Sequence, residues 1–184
     1  MSVFVYSSRG SCSYSAAMAR KWLPAVMGRS RSDSHIIHNL SDLPISPSAS
    51  KEKNHKVLCI AGGEGKHVLN AIRKDAKGVD HIKNFVRQGG TFFGICCGAY
   101  IACRWVRFDG RPPVPGLALV PCDSIGPLYK HDDYAPFEIN DRRNATSVVV
   151  RYEVEGRMEP KESAAYLHGG GTFVHAGNPV PSKG

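Results

Sequence analysis

At 184 residues, 42% of them hydrophobic and 22% charged, the chain has the length and composition of one globular domain, residues 1–184, that builds its core without disulfide staples. The net charge of +8 favours anionic partners in general. The basic residues (Arg29, Arg31, Lys51, Lys53, Lys56, Arg73, Lys74 and Lys77 among them) are scattered, with no stripe interleaved with aromatics, which argues against nucleic-acid binding.

Ser2–Tyr6 is a short apolar run closed by Ser7, Ser8, Arg9 and Gly10, the pattern of a buried first strand and its turn. Tyr14–Met27 carries Ala16, Ala17, Met18 and Ala19 and predicts a helix, with Pro24 limiting how far it runs without a kink. A second strand is expected over His35–Leu40, and Ser41–Asn54, rich in Ser and Pro, is expected to be a surface loop. Lys56–Ile60 predicts a third strand, ended by Ala61-Gly62-Gly63. Val79, Ile82, Phe85 and Val86 share one face of a helix from Val79 to Arg87, which Gly89-Gly90 terminates. Thr91–Ile95 reads as a fourth strand and Gly98 to Trp105 as a helix. Beyond it, Leu117–Val120, Ser147–Val154 and Ala164–His168 read as strands between loops rich in Pro, Asp and Asn. Apolar strands alternating with helices imply a mostly parallel sheet covered on both faces. Right-handed crossovers then gather the strand C-terminal ends on one edge, where such sheets carry their sites.

The six cysteines are Cys12, Cys59, Cys96, Cys97, Cys103 and Cys122, and no C-x-x-C pair occurs. A zinc ribbon is thereby excluded by spacing, and free thiols in a reducing compartment are expected. No 18-residue apolar run and no signal-peptide pattern is present, so no membrane contact is expected and the expected location is cytoplasmic. His131, Asp132 and Asp133 lie together in a polar stretch and are read as loop residues; neither a metal nor an organic cofactor is expected.

Gly94-Ile95-Cys96-Cys97-Gly98 has the form G-x-C-x-G. A side chain held on a sharp turn between strand and helix needs small neighbours and projects from the sheet edge, the logic of a nucleophile elbow. The helix start behind it favours a thiolate at Cys96, whereas Cys97 falls one position too late. The competing reading makes both cysteines packing residues, with the glycines serving helix–sheet contact. Gly62 and Gly63 can turn backbone amides toward a ligand and, with the Cys97 amide, form an oxyanion hole; alternatively they only end a strand.

In this order the segments Ala61-Gly62-Gly63, Gly90 to Tyr100, Gly126-Pro127-Leu128-Tyr129 and Tyr166 to Phe173 resemble the amidotransferase-like N-terminal domain of eukaryotic biotin–protein ligases. The resemblance covers most of the chain. It implies a flavodoxin-like three-layer α/β sandwich with Cys96 at the nucleophile position of the class I glutamine amidotransferase-like superfamily. It does not imply biotinylation, because the ligase catalytic domain with its biotinyl-AMP loop has no counterpart here. Two departures matter. Arg107 stands where the family commonly has an acidic residue. The late histidine and carboxylate of the superfamily also lack a clear equivalent, which leaves His168, with His175, as the available base. The expectation is a truncated or degenerate member with an incomplete triad and a non-catalytic or regulatory role. The alternatives are a cysteine-dependent amidase acting on a small amide or acyl compound, and a basic module for an anionic partner.

Overall fold

A computed structural model describes residues 1–44, 55–108, 110–127, 146–152, 159, 161–167 and 170–175. In chain order the elements of the first part are β1 (Ser2–Tyr6), α1 (Ser13–Val26), β2 (Ser34–Ile37), β3 (Lys56–Ile60), α2 (Gly65–Lys74), α3 (Gly78–Arg87), β4 (Thr91–Gly94) and α4 (Cys97–Ile101). The second part adds β5 (Trp105–Phe108), β6 (Val114–Pro115), β7 (Cys122–Gly126), β8 (Thr146–Tyr152), β9 (Lys161–Leu167) and β10 (Thr172–His175).

The first sheet has the order β2-β1-β3-β4 and is parallel throughout. Alternation along its strands divides the apolar residues between two faces. Val3, Val5, Val57, Cys59 and Ala61 pack under Ala16, Ala19 and Leu23 of α1. Tyr6, Leu58 and Ile60 pack on the other side against Val68, Leu69 and Ile72 of α2, Ile82 and Phe85 of α3, and Cys97 and Ile101 of α4. Helix, parallel sheet and helices thus form three layers in the flavodoxin-like manner. The register aligns Tyr6 with Ile60 and Ile60 with Gly94. The turns leaving β1, β3 and β4 therefore open on the same edge.

Helix α1, Ser13–Val26, agrees with the helix expected over Tyr14–Met27 and holds Pro24 inside it. Proline withholds the amide that Arg20's carbonyl would accept, and the hydroxyl of Ser34 donates to that carbonyl instead, at 3.0 Å. Several segments depart from the sequence reading, each for a physical reason. The second strand stops at Ile37 because Leu40 begins a short 3-10 turn. There the Leu40 amide donates to Asp75 Oδ2 at 2.9 Å. Helix α2 has no counterpart in the sequence reading; its buried stripe is only Val68, Leu69 and Ile72, set among charged and small residues.

The helix expected to reach Trp105 ends at Ile101. Trp105–Phe108 instead pairs in parallel with β7 and antiparallel with β6. The strand expected at Leu117–Val120 does not form. Its amides close the end of α4, with Leu117 donating to Ile101 O at 2.7 Å, Leu119 to Ala102 O at 2.8 Å and Ala118 to Cys103 O at 3.0 Å. These carbonyls would otherwise be orphaned at a helix terminus. The second sheet has the order β10-β7-β5-β6, and β8 with β9 forms an antiparallel pair.

Candidate functional site

Cys96 lies between β4 and α4 with φ 52° and ψ −117°, a conformation that residues bearing Cβ seldom adopt, and its side chain is exposed. Backbone bonds fix the turn on both sides. The Ile95 amide donates to Ile60 O at 3.0 Å, prolonging the β3–β4 pairing by one residue. The Gly98 amide donates to Ile95 O at 3.0 Å and the Ala99 amide to Cys96 O at 2.9 Å, which starts the helix. Glycine is required at 98 because a Cβ there would overlap the carbonyl oxygen of Ile60. The bend is therefore set by close contact of α4 with β3.

The turn after β3 faces this cysteine. A methyl group placed on Gly62 would stand 3.4 Å from Cβ of Cys96 and 3.1 Å from Oγ of Ser15. The Gly62 amide donates to that Ser15 oxygen at 2.9 Å, so it is already engaged. The Cys12 amide donates to Gly62 O and the Glu64 amide to Gly10 O, both at 2.8 Å, lacing the loop after β1 onto this turn. Gly63 has φ 155°, and any side chain there would collide with Gly10 O. Among the described residues, the amides of Gly63 and Cys97 donate to no hydrogen-bond acceptor. The Cys96 sulfur likewise has no hydrogen-bond partner among them.

Cys97 has a different environment. It is buried, and its thiol donates to Ala61 O at 3.5 Å. Burial pushes that thiol up to about 12, with the neighbouring Cys96 and Cys12 adding to the effect. Its thiol is thus held protonated, while its backbone amide has no acceptor among the described residues. Cys59, also buried, is pushed up to about 12 by burial alone.

The later segments converge on the same helix. Tyr100, one turn beyond Cys96, accepts the Gly171 amide on its hydroxyl at 3.0 Å. Its ring lies 5.9 Å from that of Phe173. Burial, and then the nearby Cys96, raise the Tyr100 hydroxyl above its usual range. The Ser124 hydroxyl donates to Tyr100 O at 3.3 Å. A Cβ on Gly126 would stand 3.2 Å from both Gly170 O and Gly171 Cα. Residues from β4–α4, β7 and the glycine-rich run thus meet around Tyr100.

His168 and Gly169 lie outside the described residues, as do Leu128, Tyr129, His131, Asp132 and Asp133. His175 is exposed at the far end of β10 from Gly171, opposite Cys122. No group of three or more His, Cys, Asp or Glu suited to a metal occurs among the described residues. No described helix is long and apolar enough to cross a membrane. Ser15 is the site residue that sequence reasoning missed; a serine in the first turn of a helix carries no signal of a contact 47 positions away.

The fold is a three-layer α/β sandwich with a parallel sheet, and it is shared with a solved glutamine amidotransferase. A solved structure titled "Crystal structure of glutamine amidotransferase" superimposes with a TM-score of 0.54 over 91% of this chain and 74% of that one, at 16% identity. The sequence pattern of the family described as "Biotin-protein ligase, N terminal" matches residues 1–180, and the chain belongs to that family. A Chlamydia muridarum (strain MoPn / Nigg) protein described as uncharacterized is 31% identical over 133 residues, which are 68% of this chain and 46% of that protein. The chain thus spans about half the length of the curated relative it matches.

Proposed function

We propose that this chain is a cysteine-centred binding domain with a regulatory role, which takes a small amide or acyl compound at the Cys96 turn. The observation that carries the reading is the exposed Cys96 in a strained backbone conformation beside the open amides of Gly63 and Cys97. Strain of this kind persists only where surrounding contacts over-determine it, and it concentrates at ligand and catalytic sites. A carbonyl oxygen seated on the two amides brings its carbon toward the Cys96 sulfur. Turnover asks for more, since a base must take the thiol proton and return it to the leaving amine, and loss of that help typically costs 10²–10⁴-fold. No described side chain bonds the sulfur, and His168 lies outside the described residues; the binding reading rests on the strained, exposed Cys96.

A second reading is a cysteine-dependent amidohydrolase with His168 as base. It is favoured by the Tyr100–Gly171 hydrogen bond, because His168 precedes Gly171 by three positions in the chain. Ammonia release from glutamine and simple amides separates the two. The binding reading expects background turnover in wild type, Cys96→Ala and His168→Ala, with alkylation at neutral pH labelling Cys96 ahead of Cys12 and Cys122. Robust turnover abolished by both substitutions would install the hydrolase reading. Preferential labelling of Cys12 or Cys122 would sink both.

A further inference from the structure

Cys103 and Cys122 lie outside the Cys96 turn, and neither reading of that turn uses them. Their sulfurs are 3.4 Å apart. Cys103 follows the end of α4 and is fully buried, while Cys122 opens β7 and is half-buried. The two backbones are held beside one another: the Arg104 amide donates to Cys122 O at 2.8 Å. The Arg104 guanidinium also reaches Asp123 at 3.3 Å, and β5 and β7 pair from Trp105 and Asp123 onward. The ladder thus holds the two cysteine backbones side by side, with the sulfurs in contact.

We propose that Cys103 and Cys122 are a redox-modification site, a thiol pair that closes to a disulfide when the protein meets a hydroperoxide. Cys122, the more accessible sulfur, loses its proton and attacks one peroxide oxygen. The O–O bond breaks, and the other oxygen leaves with a proton as alcohol, or as water from hydrogen peroxide. Cys122 is left as a sulfenic acid. The Cys103 sulfur then attacks the Cys122 sulfur, the S–O bond breaks, and the departing hydroxide takes the Cys103 proton and leaves as water. Two thiols surrender two electrons, and the peroxide is the species reduced. Burial, and then the thiol of Cys122, push the Cys103 thiol up, which suits the second, resolving step rather than the first attack. The bond would join the turn after α4 to β7, near Ser124, whose hydroxyl donates to Tyr100 O.

The test uses the whole chain, reduced, desalted, treated with a small excess of hydrogen peroxide and then blocked with N-ethylmaleimide. Mass mapping without reductant should find the peptides of Cys103 and Cys122 joined, in several-fold excess over any other cysteine pair, and released by dithiothreitol. The same linkage should form undiminished in Cys96→Ala, which separates this proposal from any fate of the Cys96 reading. In Cys103→Ser, dimedone should label Cys122. If that variant does not fold, the wild-type map decides by itself. A folded wild-type chain, checked by circular dichroism, that returns Cys103 and Cys122 as free thiols after peroxide would overturn the proposal. So would a dominant linkage between any other two cysteines.

Discussion

The part of the chain up to Ile101, the end of α4, and the part after it are built on different terms. In the first, a parallel sheet buried on both faces supplies its own core: Val3, Val5, Leu58, Cys59 and Ile60 are all fully buried. In the second, β8 leaves Val149 71% and Val150 42% exposed. The later segments matter mainly through what they add to the first part. Leu117 enters the α2–α4 core, and Gly171 docks on Tyr100. The early part is thus the scaffold, and the later part is a set of attachments gathered around α4.

The sharpest way to break this contrast is Leu58→Ala, which empties a fully buried position between the sheet and its helices. Such truncations cost about 2–5 kcal/mol, read as a lower urea midpoint. A loss near zero would mean that the first sheet is not the scaffold.

Next in size is Gly98→Ala. The added Cβ would meet the Ile60 carbonyl, so α4 must move off β3. A loss of roughly 1–3 kcal/mol is expected, comparable to other backbone strain, together with altered Cys96 alkylation. Unchanged melting and unchanged labelling would show that the turn does not depend on that contact.

Alkaline pH tests the buried thiols. In the folded chain Cys59 and Cys97 are pushed from 9.0 to about 12. Above the unfolded value the unfolded chain releases protons that the folded chain keeps, so stability falls as pH rises. The contribution is complete below pH 9.0 and is lost between there and about 12. A Cys59→Ala/Cys97→Ala double variant should show a shallower decline in melting temperature over that window. An identical slope would place the cause elsewhere.

Ser15→Ala should cost about 1 kcal/mol, the usual net worth of a hydrogen bond, since it removes the acceptor of the Gly62 amide. It leaves that amide free to face a ligand, so binding of an acyl compound should change more than stability does. The smallest effect belongs to Val149→Ala on β8. As an exposed substitution it should stay within about 0.5 kcal/mol, and a larger loss would reveal a core around the β8–β9 pair.

The two parts also differed in how far they could be read. Strands β1, β3 and β4 are apolar runs closed by turn residues, which makes them visible in one dimension; β3 is buried on both faces, whereas the edge strand β4 leaves Phe93 40% exposed. The same local logic exposed the Cys96 turn, because a sharp strand-to-helix bend demands glycine on either side. Helix α2 was missed because Val68, Leu69 and Ile72 form a stripe too narrow to stand out among Lys66, His67, Arg73 and Lys74.

What the sequence determined by itself was the parallel scaffold, the place of Cys96 at its edge and the family to which the chain belongs. Each of these rests on short-range pattern or on motif order. Only the tertiary structure decided that Trp105–Phe108 is a strand, that Leu117–Leu119 closes α4, and that Ser15 engages the Gly62 amide. Those outcomes depend on which distant backbone group reaches an unpaired amide or carbonyl first. A polar group left unpaired when buried costs about as much as a lost hydrogen bond, and no local pattern records where its partner will come from.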